Sequence, residues 1–112
     1  MEFSVLEQSD DVTVIALSGR LDVSGVQAIQ PDFMAAIKGS DKPTIVNMEG
    51  VEFTASMGIG MLLAAAKALQ TKELKMALLS PRELVDMALK AAKLDQILTI
   101  VYDMAEAKRV VS

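Results

Sequence analysis

The chain of 112 residues contains neither cysteine nor histidine. That absence removes thiolate nucleophiles, disulfides, zinc clusters and every mechanism that turns on an imidazole. No paired carboxylates stand out to take their place, so neither a catalytic site nor a cofactor or metal site is expected. Aromatic residues make up 4% of the chain, so any core must be aliphatic, with Ala and the eight Met as filler. Basic runs are missing as well, and the net charge is −4. Gripping a phosphate backbone needs clustered Lys and Arg, which argues against nucleic acid as a partner. Long apolar stretches are also lacking. The longest, Met61 to Ala66, falls far short of a membrane span. The start, Met1-Glu2-Phe3-Ser4, has no basic flank leading into an apolar segment, so no signal peptide is expected and the cytoplasm is the expected location.

What remains is a hydrophobic chain, 52% apolar, of a length that suits one domain with a genuine core, residues 1–112. Short β-branched runs alternate with Ala/Leu/Met-rich stretches. Phe3–Glu7 and Val12–Leu17 read as strands joined by the polar turn Ser9-Asp10-Asp11. Ser24 and Gln27 have capping-box spacing, which predicts a helix from Ser24 to about Lys38, kinked or restarted at Pro31. Thr44–Met48 reads as a central strand, Ser56–Gln70 as a second helix and Leu74–Leu79 as a fourth strand. Ser80-Pro81-Arg82-Glu83 has the form of a helix start, with Leu84, Val85, Ala88, Leu89 and Ala92 on one face of the helix that follows. Ile97–Val101 can add a last strand, and Asp103 then caps a helix over Met104–Val111. This order predicts an α/β fold with a mixed sheet of four to five strands, about four helices and right-handed crossovers.

The segment around Ser56 holds the most information. Ser56 stands at a helix start, and Gly58 and Gly60 occupy the first turn, where each Gly costs up to about 1 kcal/mol against Ala. Two there suggest bare backbone for close approach. A phosphate-cradling loop is a poor alternative, because no Lys or Thr follows as a P-loop requires. On a helical wheel Ile59, Leu62, Leu63 and Ala66 form the natural core face. Met57, Met61, Ala64 and Ala68 lie opposite and are apolar too, which suggests a surface covered by another protein. Two plainer readings stay open: Ser56 as an N-cap and nothing more, and the Met/Ala stripe as a face buried within the same chain.

Four pieces in order resemble the STAS domain family: Gly19-Arg20-Leu21-Asp22, Thr44-Ile45-Val46-Asn47-Met48, Val51 through Leu62, and Leu84 through Leu98. The resemblance covers essentially the whole chain and implies a STAS-type fold. Through the anti-sigma factor antagonists of that family it implies a non-enzymatic regulator. Such a regulator binds a protein that is both anti-sigma factor and serine kinase, and works by partner switching. The family's phosphoacceptor maps onto Ser56. The partner surface is expected to include Asp22, Ser24, Ala55, Ser56, Met57, Gly58, Gly60, Met61, Ala64 and Ala68. The chain departs from the family pattern at Ala55, where Asp is usual, and at Met57, where Ser or Thr is usual. With no carboxylate at 55, Ser56 is expected to be a poor acceptor, modified slowly or not at all, unless Asp22 and Asn47 partly substitute, although Asp22 reads equally as a helix-start residue. The departures also fit the resemblance's second implication, a STAS subunit of an ATP-driven transporter, seated unphosphorylated on the ATPase.

Overall fold

The computed structural model describes residues 1–9 and 11–112. Asp10, in the expected turn, lies outside the described residues. The described residues form strands β1 (Glu2–Gln8), β2 (Thr13–Leu21), β3 (Thr44–Thr54), β4 (Met76–Leu79) and β5 (Thr99–Val101), with helices α1 (Val23–Gly39), α2 (Ser56–Gln70), α3 (Glu83–Ala91) and α4 (Met104–Val111). The sheet order follows the chain order, β1-β2-β3-β4-β5. β1 runs antiparallel to β2 and the remaining pairs are parallel, so the expected mixed sheet has five strands with β3 at its centre.

Alternation along the strands sorts side chains onto two faces. Ile15, Leu17, Val46, Met48 and Leu78 point to one face, where they meet Phe33 and Ile37 of α1, Leu62 and Leu69 of α2, and Val85 and Leu89 of α3. Val14, Ile45, Ala77 and Leu79 point to the other and are covered by Ala107 and Val111 of α4. The main core is aliphatic apart from Phe33, whose ring meets that of Phe3 edge-on at 6.1 Å between centroids.

Several helix starts differ from the pattern expected of the sequence. α1 is capped by Asp22, whose Oδ1 accepts from the Gly25 amide, rather than by Ser24. It then runs unbroken past Pro31. Pro31 and the residue four before it, Gln27, are both exposed, so the hydrogen bond that proline deletes lies where water can replace it. α3 begins at Glu83, after Arg82, and not at Pro81. Ser80 donates its amide to the Val101 carbonyl at 2.7 Å and turns through a left-handed conformation, φ 53°, so it extends the sheet instead of capping a helix. Leu84, expected on one face of α3 with Val85 and Leu89, parts from them: it is 76% exposed, while Val85 and Leu89 are buried. The Asp103 cap on α4 is as expected, accepting from the Ala105 amide at 2.8 Å.

β3 is longer than the expected Thr44–Met48. Its pairing with β4 ends at Asn47, whereas its pairing with β2 continues to Thr54. Residues 48–54 therefore project beyond β4, and α3 packs beside this projection, with Arg82 Nε donating to the Glu49 carbonyl at 2.9 Å.

Candidate functional site

β2 and β3 end side by side, and the first turns of α1 and α2 start from those ends. Leu21 pairs with Thr54, and the Ala55 amide donates to the Leu21 carbonyl at 2.9 Å. This crossing sets residues 20–22 alongside residues 53–55. One oxygen of Asp22 caps α1, and the other lies 3.6 Å from Nε of Arg20. The Arg20 guanidinium carbon stands 4.5 Å from the centre of the Phe53 ring. Gly25 is obligatory here, because a Cβ would fall 1.9 Å from the Arg20 carbonyl oxygen.

α2 starts without a side-chain cap. Its N-cap residue is Ala55, not Ser56, and a methyl group offers no acceptor to the free amides of the first turn. Ser56 is the first helical residue and is exposed. Next to it, Met57 is 41% exposed and Phe53 is 40% exposed. A groove of about 230 Å³ runs between the end of β3 and α3, lined by Phe53, Thr54, Leu84 and Val85 among others. An accessible hydroxyl thus shares its segment with large, partly exposed apolar side chains, a combination suited to a protein interface. Among the described residues no acidic cluster is placed to hold a metal ion.

The expected partner surface on α2 needs correction. The buried residues are Gly58, Met61, Leu62, Ala65, Ala66 and Leu69, so the helix is turned by roughly 80° from the expected core face, at about 100° per residue. The cause is Gly58. A Cβ there would meet Thr54 Oγ1 at 2.5 Å and Leu21 Cβ at 2.8 Å, so the bare backbone lets the helix settle onto β2 and β3 on that side. Met61 is consequently 2% exposed and part of the core, Gly58 is buried, and Ala68 is half-buried against the core. Met57 and Ala64 remain on the surface. Gly60 is exposed, and a Cβ at that position would meet nothing within 4 Å, so close approach within the domain explains one glycine of the pair and not the other.

Asn47 does not stand near Ser56. It lies seven positions before Thr54 on the same strand, roughly 20 Å away, and its Oδ1 accepts from the Glu49 amide. Asp22 does reach the Ser56 end, and Ser24 is exposed on the first turn of α1. Sequence reasoning missed the roles of Arg20, Phe53 and Leu84. The first two were visible within the family motifs, but their stacking depends on a strand register that no local pattern reports.

The STAS domain family matches residues 4–107, and the chain belongs to that family. An anti-sigma F factor antagonist of Lysinibacillus sphaericus is 33% identical over 82 residues, covering 72% of this chain and 70% of that protein. An anti-sigma-factor antagonist (STAS) domain protein of Planctomyces limnophilus has the same fold, with a TM-score of 0.85 at 25% identity over 98% of this chain and 97% of that one. The anti-sigma factor antagonist SpoIIAA in its unphosphorylated form superposes with a TM-score of 0.79 at 24% identity, covering 97% and 96% of the two chains. The phosphorylated form of this Bacillus cell fate determinant gives 0.72 at 24% identity, covering 97% and 99%.

Proposed function

We propose that this STAS domain is an anti-sigma factor antagonist that acts by partner switching, with Ser56 as its phosphoacceptor. The observation that carries the reading is the exposed Ser56 on the first turn of α2, in one segment with the partly exposed side chains of Phe53 and Met57. The kinship with an anti-sigma F factor antagonist, and the likeness to a protein known in phosphorylated and unphosphorylated forms, support it.

The physical logic of the switch is local. The partner kinase transfers the γ-phosphoryl group of ATP: a bond forms from Ser56 Oγ to phosphorus, the bond to the ADP oxygen breaks, and the hydroxyl proton leaves to a base on the kinase. The product carries roughly −1.5 to −2 charges at neutral pH. The free amides and positive dipole end of α2 tolerate that charge, so the fold survives. A docked partner covering Phe53 and Met57 does not, because stripping water from a phosphate against apolar side chains is very costly. Modification therefore releases the partner without unfolding the domain.

The test is incubation with the cognate kinase and ATP, read by intact mass, beside a pull-down of that kinase with and without phosphate on the chain. Slow transfer to Ser56, with binding lost on modification, supports the reading. Binding to a transporter ATPase by a chain that no kinase modifies would replace it with the transporter-subunit function.

A further inference from the structure

We infer that Arg20 holds the phosphate once Ser56 is modified, leaving its resting place between Asp22 and Phe53 to do so. This rests on Ser56 being the phosphoacceptor. Arg20 pairs in register with Phe53 near the end of β2, and the next residue, Leu21, accepts the Ala55 amide. The backbone that carries Arg20 therefore runs one strand away from the segment that carries Ser56, with neighbouring strands about 4.8 Å apart.

The resting contacts of Arg20 are of a kind that yields easily. Its ion pair with Asp22 spans 3.6 Å, with side chains 58% and 42% exposed, and its remaining partner is the face of the half-exposed Phe53 ring. Both interactions are weak where water competes. Neither holds the fold together, because Asp22 keeps its place through its other oxygen, which caps α1. A phosphate dianion offers the planar guanidinium two parallel charge-assisted hydrogen bonds, a better match than a single long contact to a carboxylate.

Two other cations are poorly placed to compete. Arg82 is engaged with the Glu49 carbonyl, and Lys67 lies eleven residues along α2 from Ser56, about 16 Å away. Ala55 contributes by omission: a carboxylate at that position would repel the phosphate and draw Arg20 to itself. A neutral residue at 55 and a movable cation at 20 together favour the phosphorylated state. When Arg20 moves, the Phe53 ring loses its cationic cover, so the modified surface differs from the resting one in shape as well as charge.

The experiment uses the full chain with phosphoserine inserted at position 56 during translation, so no kinase is needed. Phosphorus NMR follows the second ionisation of the phosphate against pH. A nearby cation favours the dianion, so the midpoint should lie about one pH unit lower in the native background than in Arg20→Gln. Arg20→Lys should recover part of that shift, and the Arg20 Nε–H resonance should move on phosphorylation. Coincident midpoints in the native and Arg20→Gln chains, with both folded by circular dichroism, would overturn the inference. The kinase reading stands or falls separately, on whether the unmodified chain gains phosphate at Ser56.

Discussion

A Cβ on Gly58 would stand 2.5 Å from Oγ1 of Thr54, so this one contact sets how α2 seats on the ends of β2 and β3. Ala at 58 must push the helix off the sheet or displace Thr54, which itself donates to the Ala55 carbonyl. Gly58→Ala is expected to cost about 1–3 kcal/mol, as overpacking does. Gly60→Ala, two residues on, meets nothing and is expected to gain about 0.5–1 kcal/mol. Urea denaturation of the two variants should give midpoint shifts of opposite sign. A pull-down with Gly60→Ala then asks whether the partner needs that bare stretch of helix.

Ala55 leaves α2 uncapped, so supplying an acceptor there should stabilise the domain whatever it does to phosphorylation. Ala55→Asp and Ala55→Asn are each expected to add about 1 kcal/mol, visible as a rise of several degrees in Tm. The pair also separates two reasons for faster modification of Ser56. If the carboxylate is what the kinase uses, Asp speeds transfer and Asn does not. If a better-ordered first turn is enough, both do.

Met61 and Met57 are four residues apart on α2 and should respond in opposite ways to the same replacement. Met61 is 2% exposed, so Met61→Glu removes core contacts and buries a carboxylate, with an expected loss of roughly 3 kcal/mol or more. Met57→Glu should leave the melting temperature nearly unchanged and abolish binding of the partner. Comparable melting of the two variants would show that the helix is seated differently.

Asp22 rather than Ser24 caps α1. Asp22→Ala should cost about 0.5–2 kcal/mol, and Ser24→Ala close to nothing, when both are compared by chemical denaturation. Because Asp22 also lies against Arg20, its replacement should free the guanidinium. Asp22→Asn tests that with the least damage to the cap.

Much of the architecture was legible because it depends on local chemistry. The β-branched runs at Val12–Leu17 and Thr44–Met48 alternate with helical stretches at lengths that allow little besides parallel crossovers, and Asp103 caps α4 as its position implies. The motif around Ser56 could be placed at a helix start for the same reason. The exact starts were harder to read, since Asp22, Ser24, Ser56 and Ser80 are all competent caps and residue type alone does not choose among them. Ser80 goes to the sheet because the Val101 carbonyl is there to receive its amide.

The sequence alone determined the α/β class, the family motifs, the absence of cysteine and histidine, and a serine at the start of the second helix. Tertiary structure decided which face of that helix is surface. α2 is apolar nearly all round, so its periodicity could not choose a core face, and the choice fell to the bare backbone of Gly58 fitting against Leu21 and Thr54. The stacking of Arg20 on Phe53 was decided in the same way, by strand register. Register depends on pairing between residues 31 to 33 positions apart in the chain, and a local pattern carries no record of it.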